Sequence, residues 1–96
     1  MTVMVQVEAT VDRSKVEDAI EFLSEKFPEA RVYDGCQNVT AYLNEDGETF
    51  VFIEHWDSKE QFENYMNWRQ ESGTFGTFLE MLVGEPNIRF FEQTRA

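Results

Sequence analysis

Tyr65 and Arg69 stand four residues apart in a stretch with helical spacing, so both fall on one helix face. Such a pair is either a solvated surface contact or a cation placed to stabilise a developing phenolate or enolate. Trp68 lies three residues beyond Tyr65 on the same helix. Upstream, Phe50, Phe52, Glu54 and Trp56 alternate with Val51, Ile53 and His55, the period of a strand. The first set gathers a Trp, two Phe and a carboxylate on one face. An ionised carboxylate among aromatic rings must be paired or near an opening, and Arg31, Arg69 or Arg89 is its expected partner. Trp56 needs an acceptor for its indole N–H whether it is core or lines a ligand. His55, the only histidine, points to the other face. That placement suits a hydrogen-bonded interfacial side chain better than a general base, which must reach the substrate's proton. Asn38, near the start of a strand, is either a polar contact to a ligand or part of a turn or bulge. Cys36 is the only cysteine, which excludes an internal disulfide and a Cys-based metal cluster. A reactive thiol there would need an electropositive setting that the sequence does not display. One histidine cannot supply a Ser-His-Asp set, and neither a glycine-rich phosphate loop nor metal-ligand spacing occurs.

The elements that must position these side chains follow from periodicity. Thr2 to Val11 alternates strictly, with Val3, Val5, Val7, Ala9 and Val11 on one face, and predicts a half-buried strand. Ser14 and Glu17 have capping-box spacing, and Val16, Ala19, Ile20, Leu23 and Phe27 continue a helix from about Ser14 to Phe27, stopped by Pro28. Glu29 to Gly35 then reads as a connection, and Cys36 to Leu43 as a strand. Asn44-Glu45-Asp46-Gly47 is turn chemistry. Thr49 to Trp56 is apolar on both sides, as a central strand is. Ser58 and Gln61 form a second capping box ahead of Phe62, Tyr65, Met66 and Arg69. Gly73 and Gly76 flank Phe75, then Phe78, Leu79, Leu82 and Val83 mark a short third helix ended by Glu85-Pro86, and Ile88 to Gln93 is the last strand. The order β-α-β-β-α-(α)-β is the split βαβ pattern. It predicts an α+β, ferredoxin-like protomer with a four-stranded antiparallel sheet and its helices on one face. The third and fourth strands carry apolar residues on the open side too, so a second copy pairing through sheet faces is expected.

Ninety-six residues predict one domain spanning 1–96. The net charge of −11, from 19 acidic against 8 basic residues, argues against nucleic acid and anionic lipid as partners. Nine phenylalanines are many for this length and fit a large core or an aromatic-lined cavity. No apolar run near membrane-spanning length and no leader pattern is present, so a soluble, cytoplasmic protein is expected.

Gly35-Cys36 ahead of a strand, an acidic turn, and Phe52-x-Glu54-x-Trp56-x-Ser58 leading into a helix together resemble the antibiotic biosynthesis monooxygenase domain, a dimeric α+β barrel. The resemblance covers nearly the whole chain in element order and length. It implies sheets packed back to back and a ligand cavity between sheet and helices in each protomer. It also implies a cofactor-free oxygenase acting on phenolic or quinol-type substrates, although haem-degrading relatives share the fold. Tyr65 stands where a histidine is frequent in the family; Phe52 and Phe62 stand where some quinone-forming members have Asn and Tyr. A haem-degrading member needs an axial histidine on the helix, whereas His55 is on the strand. The expectation is therefore a monooxygenase that uses no cofactor and binds a small aromatic molecule. Trp56, Phe52, Phe62, Trp68 and Phe78 would shape its cavity; Tyr65, Arg69 and Asn38 would orient or polarise oxygen groups. The alternatives are a non-catalytic binder of a small aromatic metabolite, an isomerase or lyase on the same fold, and a structural dimer with a filled core.

Overall fold

The computed structural model describes residues 2–96. In chain order the elements are β1 (Val3–Thr10), α1 (Val16–Arg31, entered through a 3₁₀ turn at Arg13–Lys15), β2 (Cys36–Leu43), β3 (Thr49–Trp56), α2 (Lys59–Glu71), α3 (Thr74–Leu79) and β4 (Asn87–Glu92). The strands form one antiparallel sheet in the order β2-β3-β1-β4. This is the expected ferredoxin-like α+β arrangement, with β3 and β1 in the centre.

The register explains the two-sided apolar character of β3. Phe50, Phe52, Glu54 and Trp56 are buried, while Val51, Ile53 and His55 are half-buried on the other face. Across the ladder Val5 meets Glu54, Val7 meets Phe52 and Ala9 meets Phe50, so one face is a continuous buried layer. Leu23, Phe27 and Ala30 of α1 and Phe62 and Tyr65 of α2 complete that core. The opposite face presents Met4, Gln6, Val51, Ile53, His55, Tyr42 and Phe91, with no helix over it.

Two helix boundaries differ from the sequence reading. The first cap is Asp12, whose Oδ1 accepts from the backbone N–H and the hydroxyl of Ser14; Ser14 therefore does not form the expected box with Glu17. Pro28 does not stop α1, which runs on through Arg31. Proline at that position leaves the Ser24 carbonyl without its intrahelical donor, but Ser24 is exposed and water can satisfy it. The last turn is held from outside. Ala30 is fully buried, Glu29 pairs with Arg69, and the Arg31 guanidinium donates to the Val39 carbonyl.

The turn between β2 and β3 is fixed by Asp46, whose carboxylate accepts from the N–H groups of Glu48 and Thr49 at 2.8 and 2.9 Å. Those bonds hold its carboxyl well below the usual range. At the start of α2, Ser58 Oγ accepts from the Gln61 N–H and donates to Gln61 Oε1. Gly35 accounts for the Gly-Cys step. Its φ is +92°, its carbonyl accepts from the Asp57 N–H, and a Cβ there would lie 2.5 Å from the Gln61 side chain. Only glycine allows β2 to begin hard against the cap of α2. The third helix lies earlier than expected: it begins at Thr74, ahead of Phe75, and ends at Leu79, because Leu82 bridges Val11 at the end of β1.

Candidate functional site

The helix-facing side of β3 and the inner faces of α1, α2 and α3 enclose a cavity of about 70 Å³. Phe22, Phe27, Phe52, Phe75 and Phe78 are in its wall, and its polar lining is Glu54, Tyr65 and Arg69 with Lys26 and Thr74. Phe22, Lys26, Met66, Thr74 and Phe75 are only half-buried, which places the mouth where the three helices meet. Gly73, in left-handed conformation with φ +81°, turns the chain from α2 into α3 so that Phe75 and Phe78 reach over the cavity.

Tyr65 and Arg69 are joined as their spacing suggests: Arg69 Nε donates to Tyr65 Oη at 2.8 Å. The arginine is 4% exposed, and its other nitrogens donate to Glu29 Oε1 at 2.9 Å and to the Lys26 carbonyl at 2.8 Å. Three bonds on a planar fork fix the guanidinium rigidly. Because the Tyr65 oxygen accepts from Arg69, its own proton stays free to donate into the cavity. Burial pushes the Tyr65 hydroxyl above its ordinary value, and the arginine opposes part of that rise. The pair is thus a neutral donor backed by a fixed cation, suited to holding an oxygen that gains negative charge.

Glu54 departs from expectation. None of the three arginines reaches it: Arg69 is engaged as above, Arg31 is spent on the Val39 carbonyl, and Arg89 lies on the open face over Phe91. Its partner is Trp56, two residues along the same strand face, whose indole N–H donates to Glu54 Oε1 at 2.9 Å. Glu54 is 5% exposed and Trp56 fully buried. Among the described residues Oε2 makes no hydrogen bond, yet no sealed side-chain oxygen or nitrogen lacks a partner. Oε2 therefore reaches open space, which is that of the cavity Glu54 lines. Burial pushes the carboxyl up to about 7, with the Trp56 bond opposing.

Of the residues singled out from the sequence, the structure brings Tyr65, Arg69, Phe52 and Phe78 to the cavity wall. Trp56 and Phe62 form a layer beneath it: the Trp56 ring packs on Tyr65 at 5.0 Å and on Phe62 at 5.8 Å. Trp68 lies further out, stacked on Tyr33 at 5.3 Å with the Arg69 guanidinium over it. Asn38 is on the opposite face of the sheet, where its Oδ1 lies 2.8 Å from His55 Nδ1. The half-buried Cys36 has its thiol pushed up to about 11, by burial first and the Glu54 charge second, the reverse of a reactive setting. A larger groove of about 500 Å³ between α1 and β2 offers one charged side chain, Arg31, already engaged.

Residues 2–75 match the family described as antibiotic biosynthesis monooxygenase. Solved structures share the fold over almost the full length. A conserved protein from Methanosarcina mazei superposes with a TM-score of 0.88 at 17% identity, covering 98% of this chain and 94% of the other. A protein described as an antibiotic biosynthesis monooxygenase gives 0.86 at 11% identity, covering 96% and 98%. Rv0793 from Mycobacterium tuberculosis gives 0.76 at 19% identity, covering 100% and 98%. No curated protein sequence matches the chain. No helix among the described residues is long and apolar enough to cross a membrane.

Proposed function

Since the chain belongs to the antibiotic biosynthesis monooxygenase family, we propose that it is a cofactor-independent monooxygenase acting on a small phenolic or quinol-type substrate in the cavity beside Tyr65 and Arg69. The observation that carries this reading is an aromatic-walled cavity lined by a phenol donor with a fixed cation behind it. An electron-rich phenol held there loses its proton and becomes able to reduce oxygen itself. A C–O bond forms between oxygen and the ring carbon opposite the phenolate. The O–O bond then breaks, water leaves with one oxygen atom, and a quinone keeps the other. Phenol plus oxygen gives quinone plus water, so the electrons balance without a further reductant.

The volume narrows the substrate. An apolar cavity that admits benzene measures roughly 150 Å³, about twice the 70 Å³ here. A single ring therefore enters only if Phe75 or Phe22 at the mouth turns aside, and a polycycle is disfavoured. The alternative is a non-catalytic binder using the same cavity, which turnover separates from an enzyme. The active form is proposed to be a homodimer through the open sheet faces, because Val51, Ile53 and Phe91 have no cover within the protomer.

Oxygen uptake with one-ring, electron-rich phenols that carry hydrogen on the carbon opposite the hydroxyl tests the reading. Saturable uptake that disappears in Phe52→Trp, which fills the cavity, is the expected result. Uptake no faster than in buffer across the panel, or uptake indifferent to Phe52→Trp, overturns it. Stabilisation against heat by the same compounds without uptake decides for the binder.

A further inference from the structure

We infer that Glu54 is the proton acceptor of this site and that Trp56 is its positioning residue. The inference deepens the phenol reading and rests on it.

A carboxylate on a central strand, facing the helices and 5% exposed, is costly unless paired with a cation. Here the pairing is missing although a buried arginine lines the same cavity, and that arginine is committed to Tyr65, Glu29 and the Lys26 carbonyl. An isosteric glutamine would satisfy the indole equally well, so core packing does not explain the acid. The geometry has the parts of a general base. Oε1 is pinned by the indole N–H, which sets the plane of the carboxylate; Oε2 is unbonded and open to the cavity. The titratable groups that share the cavity with it are Lys26 from α1 and Tyr65 and Arg69 from α2, with Cys36 of β2 close enough to feel its charge, while β1, β4 and α3 line the cavity with uncharged side chains. Burial without a cation keeps its proton affinity near neutrality, where a base both is ionised and accepts readily.

The step is a proton transfer alone. The substrate O–H bond breaks, its electron pair stays on the substrate oxygen, and the proton forms a bond to Glu54 Oε2. Tyr65, backed by Arg69, donates to the oxygen that has become negative. The carboxyl thereby turns neutral in a site that disfavours its charge, and the new charge lies where the cation is fixed.

4-Cyanophenol, a weaker acid than 4-nitrophenol whose absorbance separates phenol from phenolate, tests this with the intact protein just above pH 7, where the free ligand is mainly neutral and Glu54 is largely ionised. Wild type is expected to bind it as phenolate, with a protonated-carboxyl infrared band appearing on binding. Glu54→Gln is expected to bind it as neutral phenol, with turnover of any accepted quinol down by roughly 10²–10⁴-fold. Glu54→Asp, which keeps a carboxylate, recovers part of the phenolate signal. Trp56→Phe removes the bond that favours the ionised carboxyl and shifts the pH dependence of the band upward. Binding as neutral phenol by wild type, or equal phenolate in Glu54→Gln, overturns the assignment of the base while leaving the phenol site standing. No binding by wild type in equilibrium dialysis overturns the phenol reading and this inference together.

Discussion

A buried base exacts a cost in stability, and Glu54→Gln should reveal it. The carboxyl rises from an ordinary 4.5 to about 7 on folding. At about 1.36 kcal/mol per pH unit, holding the charge inside destabilises the fold by about 3 kcal/mol above pH 7. A folded-state value above the unfolded one means that this contribution to stability is complete below pH 4.5 and is lost as pH rises through 7. Glutamine keeps an oxygen for the Trp56 N–H and removes the titration. The value of about 7 already includes the Trp56 bond to the charged carboxyl, and glutamine, like the neutral acid, accepts a neutral one. The net expectation is a variant about 3 kcal/mol more stable than wild type at pH 8, equivalent to roughly 12–24 °C in Tm for a chain of this size. The difference should close near pH 5, and activity should fall as stability rises. Urea denaturation of both proteins between pH 5 and 8 measures it. Parallel pH curves for the two would refute the claim that Glu54 titrates inside the fold, and a less stable variant at pH 8 would refute the sign.

Three further outcomes follow from named contacts. Arg69→Met removes three hydrogen bonds from a nearly sealed guanidinium and leaves the Tyr65 hydroxyl without its donor. A loss of about 2–3 kcal/mol in chemical denaturation is expected, together with a Tyr65 ionisation shifted upward in ultraviolet titration. Gly35→Ala forces a side chain into a φ of +92° and against Gln61 at the α2 cap, and should lower stability by about 1–3 kcal/mol, read as a drop in Tm. Ile53→Asp places a charge at the centre of the open sheet face; sedimentation at micromolar concentration should find wild type as dimer and this variant as monomer. A wild-type monomer in that experiment removes the face-to-face assembly.

The fold was legible because β1 carries an unambiguous period and β3 the two-sided apolar run of a central strand. The strict alternation of Val3 to Val11 identifies a strand with one buried face, and β3 and β2 occupy the residues their patterns indicate. Local rules failed where distant contacts outweighed them. Pro28 reads as a stop, but Ala30 in the core and Glu29 on Arg69 hold one more turn beyond it. The candidate site was half legible. The Tyr65–Arg69 pair follows from helical spacing. Glu54 could be seen as a carboxylate on a buried face, and the general expectation of an arginine partner pointed away from Trp56. The signal for the true partner was present all the same, since residues two apart on a strand share a face and an indole N–H seeks an acceptor. Asn38 was misplaced for a different reason. The β2–β3 register shifts between Cys36 and Asn38, and the irregularity leaves Asn38 beside His55 on the open face. A turn or bulge is one of the two readings of Asn38, and nothing within β2 decides between it and a ligand contact.

A structure of the protein saturated with a one-ring phenol tests the central claim most directly. The account predicts the ring between Phe27, Phe52 and Phe78, with Phe75 displaced at the mouth and the phenol oxygen within hydrogen-bond reach of Glu54 Oε2 and Tyr65 Oη. A ligand seated in the groove between α1 and β2 or on the open sheet face, with the cavity beside Tyr65 still closed, would contradict it.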